Sequence, residues 1–233
     1  MPVITVTGLV GSGAFEVGAD VAKKLGIDYI DRMILAEAAK KIGTTVAAVA
    51  ERTERPPRLG DRFAGFVKTV LERSALAGGG ADPYFGGGLD ALLVREYRDF
   101  PTEEAAAADE TLSDENLLKV TSGVIEEIAA SGDVVIAGRG ANIILHDTPG
   151  ALHVGLVSRH TERVARIMER EQLNDIEAER HVIENDRARL AHYRRFFNVD
   201  PQDPQYYHLV LNTDLLHIDH SADVIVEAAR LMG

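Results

Sequence analysis

Residues 3–15 read VITVTGLVGSGAF, an apolar run that ends in a glycine-rich turn just before a helical pattern begins. This succession of strand, turn and helix is the layout of a phosphate-binding P-loop. Gly11 and Gly13 permit positive φ and close backbone approach, so successive N–H groups can point into a concavity that suits phosphate. A dinucleotide-binding turn is excluded because it needs a glycine where Glu16 stands. The stretch therefore predicts phosphate contacts for Gly8, Gly11, Ser12, Gly13, Ala14 and Phe15.

The loop lacks two residues of the full motif. The motif continues with Lys and then Ser or Thr, whereas this chain has Ala14 and Phe15. The charged hydrogen bonds of such a lysine contribute about 1.5–3 kcal/mol each, and a phenyl ring cannot ligate Mg²⁺ as a hydroxyl does. Either arginines from elsewhere replace the lysine, or the chain binds nucleotide without efficient turnover. A turn that binds no ligand is the disfavoured alternative, because one glycine suffices for it.

Composition limits the class of protein. The 233 residues, 45% hydrophobic and 27% charged, are most simply one globular domain. The net charge of −12 argues against a general nucleic-acid or membrane-surface binder, since such proteins need basic faces. Without cysteine there is no disulfide, thiolate metal site or cysteine nucleophile. No run is as long as a membrane span and no signal-peptide pattern precedes the first strand, so we expect a cytoplasmic protein.

Strand-like runs alternate with helical patterns, which predicts a parallel sheet covered by helices. Asp31, Thr161 and Ser221 are the expected N-caps, and a helical pattern resumes at Asp114. The predicted strands are residues 3–7, 28–30, 134–136, 152–157 and 209–211, and the other predicted helices are residues 14–25, 32–41, 161–171, 175–197 and 221–232.

The alternation is interrupted after residue 42. Helical stretches at 46–50 and 63–76 are followed by two triple-glycine runs, at 78–80 and 86–88. Glycine runs lose much backbone entropy on ordering, so the pattern predicts a mobile loop there. The role of the glycine-rich stretch 78–88 stays open.

Arginines are the candidate partners of an anionic ligand. Arg139 follows a buried strand, at the edge where ligands bind in open α/β sheets, and Arg189 lies on the long helix near Asp186. Planar guanidinium groups suit phosphate, which favours ligand contact for Arg139 and Arg189. A second set shares one helix face at i, i+3 and i+7, and a solvated face of ion pairs is the alternative for it. This set is Arg163, Arg166 and Arg170.

Other polar and aromatic residues give weaker signals. His217, Asp219 and His220 fit a surface turn better than a metal site, because no further ligand cluster accompanies them, and we predict no protein metal site. His181 and His192 are expected on the surface. The aromatic residues between 193 and 207 are expected to pack rather than to stack on a base.

The chain resembles the cytidylate-kinase-like family of the P-loop nucleoside monophosphate kinases, nearly from end to end. No single motif is highly specific, but their order and spacing together are. Asp186 and Arg189 belong to the pattern. The other motifs are GSG at residues 11–13, EVG at 16–18, YIDR at 29–32, VIAGRGA at 135–141, ERV at 162–164, RIM at 166–168 and LVLNT at 209–213.

The resemblance implies one P-loop NTPase domain with a five-stranded parallel sheet flanked by helices. The core would comprise about residues 1–42, 114–157 and 205–233, with a helical acceptor-binding insert at about 43–113 and a lid at about 158–200. The implied acceptor-binding residues are Asp31, Arg139, Asp186 and Arg189. The implied catalytic residues are Arg139 together with the lid candidates Arg163, Arg166 and Arg170.

The resemblance also implies an activity: transfer of the γ-phosphoryl group of ATP to CMP, dCMP or a related monophosphate, with Mg²⁺ on the nucleotide. Typical cytidylate kinases carry an aspartate where this chain has Gly140. The alternatives are a nucleotide-binding or regulatory protein that has lost turnover, and a kinase for another acceptor. The sequence leaves open whether ATP or GTP is the donor and whether the protein is a monomer or a homodimer.

Overall fold

The computed structural model describes residues 2–31 and 114–232, with only the backbone course for residues 114–121. The helix expected at 32–41, the acceptor-binding insert at 43–113 and the glycine-rich stretch 78–88 lie outside the described residues.

Five strands form one parallel sheet in the part of the chain that is described. Their order is β2-β3-β1-β4-β5, which puts β1 in the centre. In the register, Thr5 faces Ile136 on one side and His153 on the other. The predicted five-stranded parallel sheet flanked by helices is confirmed. The strands are β1 (Val3–Gly8), β2 (Asp28–Ile30), β3 (Val134–Ala137), β4 (Ala151–Val157) and β5 (Leu209–Asn212).

Helices connect the strands and cover the sheet. The long helix after Asn174 begins with a capping box, in which the Asn174 side chain and Glu177 satisfy each other's backbone N–H groups. A 3₁₀ turn, Pro204–Tyr206, precedes β5. The helices are α1 (Ala14–Leu25), α2 (Asp114–Ala130), α3 (Ala141–Ile144), α4 (His160–Glu171), α5 (Asp175–Phe197) and α6 (Ile218–Met232).

Two expected N-caps are wrong. Helix α4 begins two residues earlier than an N-cap at Thr161 would allow, with Arg159 as its N-cap, and the Arg159 N–H donates to the Asp214 carboxylate at 2.7 Å. Helix α6 begins at Ile218, and the Ser221 hydroxyl inside it donates back to the His217 carbonyl at 2.7 Å. The causes differ. At α4 a carboxylate from a distant segment occupies the helix end, and at α6 the Ser hydroxyl bonds a backbone carbonyl within the helix.

The two faces of the sheet differ in polarity. Ile4, Val6, Leu152 and Val154 point to one face and form a buried core with α1 and α6. Thr5 and His153 point to the other face, where the Thr5 Oγ1 and the His153 Nδ1 are 2.8 Å apart. The apolar layer fixes α1 against the sheet and so fixes where its N-terminus meets the end of β1.

Helices α4 and α5 pack on each other through a small apolar cluster of their own. Val164 and Ile167 of α4 meet Ala178 and Val182 of α5, and Val10 of the glycine-rich turn packs against this cluster. The helical pair is therefore in direct contact with the turn after β1. No helix in the two described ranges is long and apolar enough to cross a membrane.

Candidate phosphate-binding site

The turn between β1 and α1 has the backbone of an anion cradle. Gly11 and Gly13 take φ values of 78° and 89°, and Gly13 is the left-handed N-cap of α1 without a side-chain cap. The Ser12 N–H donates to the Leu9 carbonyl at 3.0 Å and closes the turn. The N–H groups of the first helical turn have no acceptor within their helix, and the helix dipole adds partial positive charge. The predicted strand, glycine turn and helix are thus all present.

Close packing explains two of the glycines. A Cβ atom on Gly8 would lie 2.1 Å from the Ser12 Oγ and 2.7 Å from the Leu156 carbonyl oxygen. A Cβ atom on Gly11 would lie 2.5 Å from the carbonyl oxygen of Arg163 on α4. The turn therefore needs glycine because neighbouring backbone leaves no room, in addition to its positive φ values.

Side chains from distant segments bind the carbonyl groups of this turn. Arg163 Nη1 donates to the Val10 oxygen at 3.0 Å. Arg166 Nη1 donates to the Gly11 oxygen, also at 3.0 Å. Two further carbonyls are bound in the same way: that of Gly8 by Arg189 Nη1, and that of Ser12 by Thr213 Oγ1 at 2.9 Å. We call Arg163, Arg166, Arg189 and Thr213 the carbonyl donors.

Carboxylates orient two of these guanidinium groups. Asp186 of α5 lies 2.8 Å from Arg163 Nη1, and the Arg163 residue is only 5% exposed. Asp214 lies 3.2 Å from Arg166 Nη2. The predicted residues Arg163, Arg166, Asp186 and Arg189 are thus brought together at the loop, although three of them bind its carbonyls.

Thr213 and Asp214 are site residues that our sequence reasoning missed. The Asp214 carboxylate accepts from the Ser158 hydroxyl at 2.6 Å and from the Arg159 N–H at 2.7 Å. Burial raises the pKa of Asp214, but these hydrogen bonds and the nearby Arg166 charge outweigh it, so the pKa lies below its usual value. The available signal was position: polar residues directly after β5 lie at the carboxyl edge of the sheet, where ligands bind.

A cation lies beside Phe15, one of the two residues that replace the motif Lys and Ser/Thr. The Arg170 guanidinium lies 5.8 Å from the ring centroid of Phe15, a cation–π distance. Its Nη1 is 3.6 Å from the Glu16 carboxylate, and its Nε is 3.0 Å from Glu171. At the N-terminus of α1, the Arg170 guanidinium therefore lies beside the ring that replaces the motif hydroxyl.

A second glycine turn follows β3. Gly138, Arg139 and Gly140 all have positive φ, at 78°, 58° and 73°, and Gly140 is the N-cap of α3. For an arginine this left-handed backbone is strained, and such strain persists only where surrounding structure imposes it. A Cβ atom on Gly140 would lie 2.9 Å from the Phe197 ring of α5. A side chain at position 140 would therefore require the Phe197 ring to shift.

His192 lies near that second turn and is not the surface histidine that we expected. Its ring is half-buried, with its centroid 4.7 Å from that of Phe196. Burial, followed by the positive charges of Arg139, Arg189 and Arg195, lowers the pKa of His192 to about 4. The same helix places Tyr193 fully in the interior, consistent with packing rather than base stacking.

Asp31 ends up one residue past β2, half-buried at the same edge of the sheet. Burial, and then the Asp31 carboxylate, raise the pKa of the Tyr29 hydroxyl. Asp31 is thus at the edge that the resemblance implies, and its acceptor role stays a prediction.

A cleft of about 90 Å³ opens at the ends of β1 and β4 beside Arg189. It is smaller than pockets that enclose a ligand of nucleotide size.

The residues around the loop do not fit a protein-held magnesium ion. Phe15 offers no oxygen at the position of the motif hydroxyl, and Asp214 and Asp186 are bound by arginines. Within residues 2–31 and 114–232, no group of three His, Cys, Asp or Glu side chains is arranged for a metal ion. His217, Asp219 and His220 lie at the start of α6.

The parallel sheet with a glycine turn between its central strand and α1 is the architecture of the P-loop class. The sequence profile of the cytidylate kinase-like family matches residues 3–215, so the chain belongs to this family. The match includes every residue of the loop and all four carbonyl donors.

Individual relatives agree with the family. A cytidylate kinase of Methanopyrus kandleri is 30% identical over 110 residues, and one of Methanoregula boonei is 25% identical over 105 residues. Each alignment covers 44% of this chain and 57% of the relative, so the chain spans little more than half the length of these curated relatives. An uncharacterized protein from Eubacterium ventriosum has the same fold, with a TM-score of 0.61, 15% identity and 99% coverage of both chains.

Proposed function

We propose that this protein is a nucleoside monophosphate kinase-like phosphotransferase, which moves the γ-phosphoryl group of ATP to CMP, dCMP or a related monophosphate. One observation carries the proposal: an uncapped helix N-terminus and glycine turn at the end of the central strand, surrounded by arginines, in a chain of the cytidylate kinase-like family. Magnesium would arrive on the nucleotide, as part of the substrate.

Phosphoryl transfer mainly requires that the phosphates are positioned and their charge neutralised. The loop N–H groups would hold the donor phosphates, and Arg170, which is one-third exposed beside Phe15, would supply the charge that Ala14 cannot. Arg139 would serve the phosphoryl group from the neighbouring turn. Asp186 and Arg189 would reach an acceptor only by leaving their present partners, Arg163 and the Gly8 carbonyl.

The direct test is turnover. Purified protein at micromolar concentration is incubated with ATP, Mg²⁺ and each nucleoside monophosphate in turn, and diphosphate products are separated chromatographically. We expect CDP or dCDP to form fastest. A different diphosphate would redirect the acceptor assignment, and no diphosphate from any monophosphate would reject the kinase proposal.

A nucleotide-binding or regulatory protein with little turnover is the second candidate, favoured by Ala14 and Phe15 at the motif positions. The double variant Ala14→Lys, Phe15→Ser restores both motif groups. If the wild type binds ATP without turning it over, the double variant should gain activity by tenfold or more, since one charged contact contributes about 1.5–3 kcal/mol. Rapid turnover by the wild type would reject this candidate.

The remaining proposals follow from charge and family. We expect nucleotides as the partners and neither nucleic acid nor a membrane surface, because the net charge is −12. We also expect a cytoplasmic location. Light scattering of the purified chain decides between a monomer and a homodimer.

A further inference from the structure

Side chains from other segments of the chain bind four carbonyl groups of the glycine turn. Those of Gly8, Val10, Gly11 and Ser12 each accept a hydrogen bond from a carbonyl donor. The donors come from three segments: α4, α5 and the connection after β5. We propose that they are positioning residues, which fix the peptide planes of the loop. They aim the N–H groups of Gly11 and Gly13 inward while the Ser12 N–H closes the turn on Leu9, and so keep an anion cradle formed without the motif lysine.

Peptide geometry links the two sides of the loop. In a planar trans peptide, the carbonyl of one residue and the N–H of the next point in opposite directions. A Val10 carbonyl held toward Arg163 therefore turns the Gly11 N–H away from α4. In the same way, the bond from Thr213 to the Ser12 carbonyl sets the direction of the Gly13 N–H. Fixing the carbonyls thus fixes the surface that faces a phosphate.

The loop needs such support because its own sequence provides little. Gly8, Gly11 and Gly13 lose much backbone entropy on ordering, and no side chain caps α1. Three of the four carbonyl donors are shielded from water: Arg163 is 5%, Arg189 6% and Thr213 1% exposed. Water therefore competes weakly with the hydrogen bonds of these three. The Arg166 side chain is 27% exposed.

The donors are themselves held in place. Asp186 pairs with Arg163, and Asp214 with Arg166. Arg166 Nη1 also donates to the Thr213 hydroxyl at 3.1 Å, which joins two of the donors into one network. Since both carboxylates neutralise their arginines, the main contribution of these arginines at the loop is direction rather than net charge.

Thr213 gives the sharpest test, because Val keeps its shape and removes its hydroxyl, whereas Ser keeps the hydroxyl. The variants are Thr213→Val, Thr213→Ser and Arg166→Met, with Arg180→Met as the matched control, an exposed arginine on α5. Carbonyl carbon-13 shifts of residues 8–13 are recorded without ligand, affinity for inorganic tripolyphosphate is measured by calorimetry, and thermal unfolding serves as the folding check.

We expect Thr213→Val to shift the Ser12 carbonyl resonance and to weaken tripolyphosphate binding about 2- to 10-fold, the range for one lost hydrogen bond. Arg166→Met should shift the Gly11 carbonyl resonance. Thr213→Ser keeps the hydroxyl, so its Ser12 carbonyl resonance and its tripolyphosphate affinity should stay close to those of the wild type. Arg180→Met should change neither. Unchanged shifts and affinity in a folded Thr213→Val protein would overturn the inference.

The two readouts separate this inference from the proposed function on which it rests. If Thr213→Val shifts the Ser12 carbonyl resonance but the wild type binds no polyphosphate, nucleotide binding is rejected and the donors still hold the loop. If the wild type binds tripolyphosphate and the Ser12 carbonyl resonance shifts in Thr213→Val but not in Thr213→Ser, while all three proteins bind tripolyphosphate equally well, the positioning role is overturned. If the variants lose activity while the loop carbonyl resonances and the tripolyphosphate affinity stay as in the wild type, these residues belong to a closing lid and the inference is overturned.

Discussion

Two glycine turns lie at the carboxyl edge of the sheet, one after β1 and one after β3, and the backbones of their helix N-caps are nearly the same. Each ends in a left-handed glycine N-cap without a side-chain cap, Gly13 with φ 89° and ψ 13° and Gly140 with φ 73° and ψ 13°. They differ in what surrounds them. The first turn opens a helix of 12 residues and has its carbonyls bound by distant side chains, whereas the second opens a helix of four residues under Phe197. Similar turns thus become different sites through their tertiary partners.

The largest expected effect comes from filling the first turn. Gly11 and Gly138 share a φ of 78°, but a Cβ on Gly11 would meet the Arg163 oxygen at 2.5 Å, while one on Gly138 meets no described atom within 4 Å. We expect Gly138→Ala to cost about 1–2 kcal/mol from its backbone conformation alone. Gly11→Ala should cost at least about 2 kcal/mol more, since the loop must move. Urea unfolding of the two variants measures the difference, and equal costs would contradict the packing argument.

The second turn is tested by restoring the aspartate of typical cytidylate kinases. Gly140→Asp places a side chain against the Phe197 ring, 2.9 Å from its Cβ, at positive φ. We expect a loss of about 2–3 kcal/mol in the free energy of unfolding. In a Phe197→Ala background the ring is gone, so Gly140→Asp should lower the free energy of unfolding by less than it does in the wild type. A double-mutant cycle with no coupling would show that the ring does not decide the residue at 140.

A smaller effect concerns acid stability near the second turn. The pKa of His192 is about 4 in the folded protein, against a usual value of 6.5, so the unfolded chain binds this proton more strongly. The contribution of His192 to the free energy of unfolding is therefore fully present above pH 6.5 and is lost as the pH falls toward 4.

We expect a loss of about 1 kcal/mol from His192 between pH 7.5 and pH 5, allowing for its partial exposure. Burial and the neighbouring His208 and His146 likewise lower the pKa of His153 to about 4, so two histidines contribute. Denaturant unfolding at several pH values should show a shallower slope for His192→Gln than for the wild type. Parallel slopes would mean that His192 is not the group responsible.

The smallest expected effect returns to the first turn. Glu16 places a carboxylate in the first turn of α1, 3.6 Å from Arg170. It repels an anionic ligand and offsets the arginine, so Glu16→Gln should strengthen tripolyphosphate binding about two- to threefold at low salt. The gain should vanish at high ionic strength. Glu227→Gln on α6 is the control, and weaker binding by Glu16→Gln would contradict this assignment of charges.

Much of the fold was predictable because its signals are local. The alternation of apolar runs and helical patterns predicted all five strands within one or two residues, and the boundaries of α1 and α5 as well. Helix starts at α4 and α6 were mistaken because a lone Thr or Ser hydroxyl has several backbone partners to choose from. His192 was misplaced although the rings around it, those of Tyr193, Phe196 and Phe197, follow it directly in the sequence. The sequence pattern did not show that this side of α5 faces the second glycine turn.

The sequence by itself determined the turn after β1: three glycines between an apolar strand and a helix dictate a loop whose backbone can approach an anion. Only the tertiary structure decided what binds its carbonyls, since Arg163, Arg189 and Thr213 lie far along the chain and meet the loop through packing of α4, α5 and β5. Local φ and ψ preferences specify a turn, whereas hydrogen-bond partners depend on which segments the core brings together.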